Sequence, residues 1–323
     1  MLTAGIMLTL AMGMMVGCGG EKKEAAKKEK VNVGIVQLVE HAALDAANKG
    51  FVDGLAAKGF KEGQNITFDR QNAQADQSNL QNIAQRFVSN KVDLICAIAT
   101  PAAQTVANVT PDIPIVGTAI TDYKAAKLIK DNKKQGTNVT GTTDMNPVEA
   151  QLDLALQLVP GAKAVGTIYS SSEVNSQLQV DILKKAAAVK KVEIKEATVT
   201  TVNDIQQAAR SLVGKVDVIY IPTDNVLASA MPTLAMVTEE AKIPVVCGEG
   251  EAVKSGGIAT LGIDYYKLGV QTGEMAADIL SGKAKPQDMP IQAQKDFDVI
   301  VNFESAKKIG LTIPKEILDK AKK

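Results

Sequence analysis

The sequence predicts an α/β protein made of two similar lobes, each a parallel sheet with helices on both faces. Three observations predict it. Strand-like runs alternate with helical runs of about 10 to 15 residues. The strand-like runs are short and continuously apolar, as suits strands buried on both sides. The series also repeats. "VNVGIV" from Val31 is echoed by "KAVGTIY" from Lys163, and "KVDLI" from Lys91 by "KVDVI" from Lys215. "DIPIV" from Asp112 is echoed by "KIPVV" from Lys242, and "VTGTTD" from Val139 loosely by "IATLGID" from Ile258. Four echoes in one order mean two halves of one topology.

The elements follow in order. "VNVGIVQL" (31–38) reads as a strand, and "HAALDAANKGFVDGLAAKGF" (41–60) as a helix stopped by Gly59. "NITFDRQNA" (65–73) is a second strand. "QSNLQNIAQRFVSN" (77–90) is a helix with Leu80, Ile83, Ala84 and Phe87 on one face. "VDLICAIA" (92–99) is a strand, "PAAQTVANVT" (101–110) a helix with Thr100 as N-cap, and "IPIVGTAI" (113–120) a strand. The second half repeats the plan. Pro232 falls inside the helix after "VIYIPTDN" (218–225) and should bend or split it. The tail "ESAKKIGLTIPKEILDKAKK" (304–323) reads as a short helix and a Pro-led second one, packed on a lobe.

Bulk properties exclude several classes. The chain has 323 residues, room for two domains, and is 46% apolar and 22% charged, a globular composition. Lys plus Arg equals Asp plus Glu at 36 each, so no basic surface invites nucleic acid. The single histidine, His41, argues against a Ser-His-Asp triad and a multi-histidine zinc site. The three cysteines form no disulfide framework, and Cys96 and Cys247 sit in apolar runs as small hydrophobes. No G-x-G-x-x-G follows the first strand and no Walker A motif occurs, so a nucleotide-dependent enzyme is disfavoured. The expectation is a binding protein without cofactor or metal.

Residues 1–20 are apolar almost throughout and precede the charged run "EKKEAAKKEK". Cys18, between Gly17 and Gly19, resembles a bacterial lipobox, although Met15 stands where Leu is usual and no basic residue comes first. Residues 1–18 are therefore expected to be a lipoprotein signal peptide with Cys18 lipidated, and residues 19–30 a solvated tether. The chain beyond would be extracytoplasmic and lipid-anchored.

In an open α/β sheet, ligands bind beyond the carboxyl ends of the strands. Those ends carry Gln37, Glu40 and His41, then Thr100 and Ala102, then Thr118, Thr121 and Asp122 in the first half. In the second they carry Glu173, Asn175 and Ser176, then Thr223, Asp224 and Asn225, then Glu249 and Asp264. Hydroxyls, amides and free N–H groups at helix starts suit an anion, and the carboxylates suit a cation. Such a pocket fits a zwitterion, with an α-amino acid the obvious one. Each residue alone is also readable as a helix cap or a turn; the case is their convergence. Asp224→Ala is expected to abolish binding and leave the fold nearly as stable.

"VGIVQLVEHAALDAANKGFVDGL", "CAIATPAAQ", "DIPIVGTAITD", "NVTGTTDMNPVEAQLDL", "IYIPTDN" and "LGIDYYKLGVQTGEMAADIL" resemble the substrate-binding lipoproteins of ABC uptake systems. The likeness is greatest to the group that binds tryptophan or tyrosine, and it spans nearly all of 31–314. It implies a type I periplasmic-binding-protein fold, whose two Rossmann-like lobes close on a ligand about a three-segment hinge. Lobe 1 would be 31–143 plus about 265–292, and lobe 2 would be 144–264 plus about 293–323. The resemblance also implies roles. Asn175, Ser176, Thr100 and Ala102 would hold the ligand carboxylate. Asp224 and Asp264 would hold the ammonium, and Gln37, Glu40 and Thr118 would face the side chain. Asp122, Asn225 and Glu249 complete the expected ligand-binding set. A stacking partner would have to be Tyr123, Tyr265 or Tyr266, because aromatics are only 3% of the chain. The implied partners are an amino acid, a permease with its ATPase, and the membrane, with the protein a monomer. The alternatives are a branched-chain amino acid or other small polar solute as ligand, and a surface sensor or adhesin of the same fold.

Overall fold

The computed structural model describes residues 30–132 and 136–322. The expected signal peptide, Cys18 and most of the tether lie outside the described residues. The first lobe runs β1 (Val31–Gln37), α1 (Ala42–Ala57), β2 (Ile66–Asn72), α2 (Gln77–Ser89), β3 (Leu94–Ile98), α3 (Thr100–Val109), β4 (Ile115–Ile120) and β5 (Val139–Thr143). The chain then crosses and repeats the plan. It runs α4 (Val148–Leu158), β6 (Ala164–Ser170), α5 (Val174–Lys190), β7 (Glu193–Val199), α6 (Ile205–Leu212) and β8 (Val218–Ile221), followed by α7 (Asn225–Ser229), α8 (Met231–Glu240), β9 (Val245–Cys247), α9 (Gly250–Lys254) and β10 (Ala259–Gly262). It returns to the first lobe for α10 (Tyr265–Leu280) and β11 (Gln292–Ala293), and ends in the second with β12 (Asp298–Val301), α11 (Phe303–Lys308) and α12 (Lys315–Leu318).

The two sheets have the same order, β11-β5-β4-β3-β1-β2 and β12-β10-β9-β8-β6-β7. The sequence echoes are therefore echoes of topology. Pairings are parallel except at the edge strand β12, which runs antiparallel to β10. The central strands β3, β4 and β8 are buried at every position, as expected of strands covered on both faces.

Local chemistry sets the ends. Gly59 lies at φ +96° past α1, where the Gly59 N–H bonds Ala56 O and the Phe60 N–H bonds Leu55 O. This is the paired closure that a left-handed glycine permits. Pro232 sits in the first turn of α8, after α7 has stopped at Ser229, so it needs no N–H donor there. Pro314 precedes α12, whose Ile317 joins Ala306 and Ile309 in the second lobe's core. Thr100 is the first residue of α3, not its cap. The cap is Ala99, at φ 84° and ψ 152°, a region almost reserved for glycine. Tyr123, a candidate stacking partner, is core; its hydroxyl donates to Gly117 O and Thr142 O. Cys96 and Cys247 are buried strand residues.

α10 belongs to the first lobe through α1. A Cβ on Gly269 would lie 2.0 Å from Ala47 O, and one on Gly50 would lie 2.1 Å from Tyr266 O. The helix backbones thus touch across glycines. That contact fixes the helix that leaves the interlobe crossing. Among the described residues no helix is long and apolar enough to cross a membrane.

Candidate functional site

The lobes connect three times, at 144–147, 263–264 and 294–297, between the strands and helices that bound them. Polar bonds tie these crossings together. The Tyr265 hydroxyl donates to Asp144 Oδ2 at 2.7 Å, joining the first and second. Gln294 Nε2 donates to Asp264 O at 2.6 Å, and its Oε1 accepts from the Asp264 N–H at 3.3 Å, joining the second and third.

A cleft lies between the carboxyl ends of the two sheets. Lobe 1 lines it with His41, Leu44, Ala119 and Thr121. Lobe 2 contributes Asn175, Thr223, Asp224, Asn225, Ala228 and Glu249, and the crossings contribute Asp144 and Tyr265. The space inside is small, about 20 Å³. The lobes are shut on one another. Two bonds bridge them: His41 Nε2 to Asn225 Oδ1 at 3.2 Å, and Thr121 Oγ1 to Thr223 Oγ1 at 3.5 Å. The Asn225 oxygen can only accept, so His41 carries its proton on Nε2. Burial pushes the His41 pKa below its usual value, against the Asn225 hydrogen bond and the Asp45 charge.

Lobe 2 holds a dense acidic network. Asp224 caps α7 through Leu227 N–H at 2.9 Å and takes Ser170 N–H at 2.6 Å and Ser176 Oγ at 2.7 Å. Glu173 accepts the backbone N–H groups of Asn225 and Val226 and both side-chain amides, Asn175 Nδ2 at 2.9 Å and Asn225 Nδ2 at 2.6 Å. Asn175 Nδ2 also donates to Thr223 O at 3.0 Å. Gln179 Nε2 donates to Thr223 Oγ1. Asn175 Oδ1 is left buried with no partner.

Burial raises all four buried carboxyl pKa values here. Glu173 is pushed up to about 8 by burial and by the neighbouring Asp224 charge, and Glu249 to about 7 by burial. Asp224 and Asp144 are raised by burial against the hydrogen bonds they accept. No Lys or Arg lines the cleft among the described residues. Buried carboxylates without cations, beside an unpaired amide oxygen, form a site for a positive donor group.

This linkage has a measurable sign. The folded-state values of Glu173 and Glu249 lie above their unfolded values, so between about pH 4.5 and 8 the folded state binds the extra protons. Stability is then present at the acid end and lost as pH rises, by up to about 1.4 kcal/mol per pH unit for each proton. Ligand-free protein should melt higher at pH 5 than at pH 8, read by calorimetric melts; a flat or rising profile would contradict the burial of these carboxyls.

The expected site residues divide. Asn175, Asp224, Asn225 and Glu249 meet at the cleft. Ser176 stands behind it, donating to Asp224. Thr100 and Ala102 are buried at the start of α3, and Thr100 Oγ1 has no partner. Others are engaged elsewhere. Gln37 bonds Val39 O, Asp45 and Asn48 within lobe 1, and Glu40 is exposed. Thr118 accepts from Thr142 inside the sheet, and Asp122 caps the turn at Lys124 and Ala125. Asp264 caps α10 through the Lys267 N–H and is not among the residues that line the cleft. Glu249 accepts the Glu251 and Ala252 N–H groups and lines the cleft as well. Both Asp224 oxygens accept hydrogen bonds within lobe 2, which argues against the expectation that the fold is nearly as stable without it. Asp144 was not foreseen: buried, it accepts from Thr121 Oγ1 at 2.9 Å and from Tyr265. Of the three candidate tyrosines only Tyr265 lines the cleft; Tyr266 is exposed and donates to Asp53.

Comparison with known proteins places this geometry. A protein named tyrosine-binding protein from Clostridioides difficile (strain R20291) is 44% identical over 310 residues, 94% of this chain and 90% of that protein. A Streptococcus pneumonia ABC domain solved in complex with L-Trp is 39% identical, with a TM-score of 0.87 over 90% of this chain and 98% of the other. A ligand-free, open substrate-binding protein with adhesive properties from Clostridium difficile is 47% identical over the same shares, yet its TM-score is only 0.69. The more similar sequence superposes less well, so the lobe arrangement here is nearer to that of the L-Trp complex than to that of the open form. The two lobes have the type I periplasmic-binding-protein fold. The family model described as ABC transporter substrate binding protein matches residues 32–323, and with these relatives it shows that the chain belongs to the ABC transporter substrate-binding proteins.

Proposed function

We propose that this protein captures an L-amino acid, with an aromatic side chain the favoured class, by closing residues 31–143 with 265–293 onto the rest of the chain. The observation that carries the proposal is the unpartnered Asn175 Oδ1 in a carboxyl-rich cleft that no Lys or Arg lines among the described residues. An ammonium supplies the donors this site lacks. Asn175 is therefore an ammonium acceptor, not the carboxylate donor expected, since both its N–H bonds are already used. The ligand carboxylate falls to the first turn of α3, where Thr100 Oγ1 is unpaired and the helix dipole favours an anion. Leu44, Ala119 and Tyr265 offer the apolar contact for the side chain. The relatives with a tyrosine-binding name and an L-Trp complex support the aromatic class.

Because the lobes meet over the cleft, the ligand enters an opened form and is held on closure. The loaded protein then hands the ligand to an ABC permease powered by its ATPase, acting as a monomer and without catalysis, held outside the membrane by a lipid on Cys18. A thermal-shift screen of the twenty amino acids tests the ligand class. Stabilisation by tyrosine, tryptophan or phenylalanine is expected, and no shift with any amino acid would overturn the reading. The adhesive properties of one relative favour a second role at the cell surface.

A further inference from the structure

Glu173 lies behind the cleft lining, yet it decides which atoms the lining presents. Its Oε1 accepts the first two backbone N–H groups of α7, Asn225 at 3.1 Å and Val226 at 3.3 Å. That side is fixed, because helix N–H groups cannot be turned round. Its Oε2 accepts the side-chain amides of Asn175 and Asn225. An amide whose NH2 is held has its oxygen aimed the other way. Asn175 Oδ1 is thereby left unpaired, and Asn225 Oδ1 is presented to His41 of the opposite lobe.

We infer that Glu173 is a positioning residue that sets the polarity of the cleft, orienting Asn175 and Asn225 oxygen-outward so that the site selects a ligand bearing an ammonium group. The inference rests on the amino-acid reading above and deepens it. The ionised carboxylate accepts on both oxygens, so the selectivity it sets is read at or above its raised pKa of about 8. Glutamine at this place offers one acceptor and one NH2. If its oxygen keeps the α7 N–H groups, its NH2 faces two other NH2 groups. Relief comes when the two asparagines turn, which brings nitrogen where oxygen stood. For Asn225 the turn is accommodated when His41 shifts its proton to Nδ1 and accepts at Nε2. For Asn175 it is opposed by Thr223 O, which then faces an oxygen. Both outcomes spoil the acceptor that meets an ammonium, while the apolar wall of Leu44, Ala119 and Tyr265 is untouched.

The test is a selectivity ratio. Affinities of the full chain for L-tyrosine and for desaminotyrosine, the same molecule without its ammonium, are measured by calorimetry in wild type, Glu173→Gln, Asn175→Ala and the double variant. The ratio should fall by about tenfold or more in Glu173→Gln, as for one hydrogen bond to a charged group. In the Asn175→Ala background Glu173→Gln should change it far less, the signature of action through Asn175. A purely structural Glu173 would weaken both ligands alike and leave the ratio unchanged, which overturns the inference. Should Glu173→Gln fail to fold, wild type decides: the Asn175 and Asn225 side-chain NH2 protons, held by a buried carboxylate, should exchange slowly with water by NMR. Exchange as fast as in a free asparagine overturns the inference. Wild type that binds no amino acid would instead sink the parent reading.

Discussion

Asp224→Ala should lose both ligand binding and a large part of lobe 2's stability. The side chain is 2% exposed, and three donors converge on it: Ser170 N–H, Leu227 N–H and Ser176 Oγ. Removing an N-cap costs about 1 kcal/mol, and each buried donor left unpaired adds about 1 to 3 kcal/mol. One term opposes this, because Asp224 repels Glu173 and its removal relaxes that pair. The lost bonds outnumber it, so a net loss of about 3 kcal/mol is expected. For a chain of this size that lowers the melting temperature by roughly 6 to 12 °C. Asp224→Asn keeps one acceptor oxygen and should fall between the two. A variant that melts with wild type would mean that Asp224 faces the ligand alone, as its strand-end position first suggested.

The second large effect is at the contact of α1 and α10. Gly269→Ala places a methyl 2.0 Å from the Ala47 carbonyl oxygen, and that oxygen belongs to helix backbone that cannot yield alone. Helix propensity favours alanine over glycine by about 1 kcal/mol. Overpacking of this kind costs about 1 to 3 kcal/mol and more where backbones must part. The clash should win, with a net loss of about 2 kcal/mol in a denaturant titration. Ligand affinity should fall as well, because α10 begins at Tyr265, which holds Asp144 at the first crossing. Stability equal to or above wild type would show that the helices can separate freely.

Much of the fold is legible in the sequence because it depends on local pattern. Continuous apolar runs mark β3, β4 and β8, Gly59 stops α1, and the repeated run order gives two sheets of one order. The antiparallel β12 is not legible, since strand direction depends on the route by which the chain re-enters lobe 2. The site is legible only in part. The strand-end rule leads to Asn175, Asp224 and Asn225, which line the cleft. The same rule drew in Asp264 and Asp122, because a carboxylate that caps a helix or turn has the same sequence signature as one that meets a ligand. Thr118 and Thr121 lie three residues apart at one strand end, and only the latter reaches the cleft. Asp144 could not be found from sequence, since it gains its partner Tyr265 across 121 residues. The side of Asn175 that faces the cleft is not legible for a similar reason. Whether an amide offers nitrogen or oxygen depends on what holds its other end, and Glu173 holds it.

The most direct measurement is calorimetric titration of the wild-type chain with L-tyrosine, L-tryptophan and desaminotyrosine. If the cleft is an ammonium-selective amino-acid clamp, at least one aromatic amino acid should bind saturably at one site per chain with micromolar or tighter affinity. L-Tyrosine should also outbind desaminotyrosine by at least about tenfold, the worth of a hydrogen-bonded charge in a buried site. Equal affinity for L-tyrosine and its deaminated form, or no saturable binding of either aromatic amino acid, would contradict it.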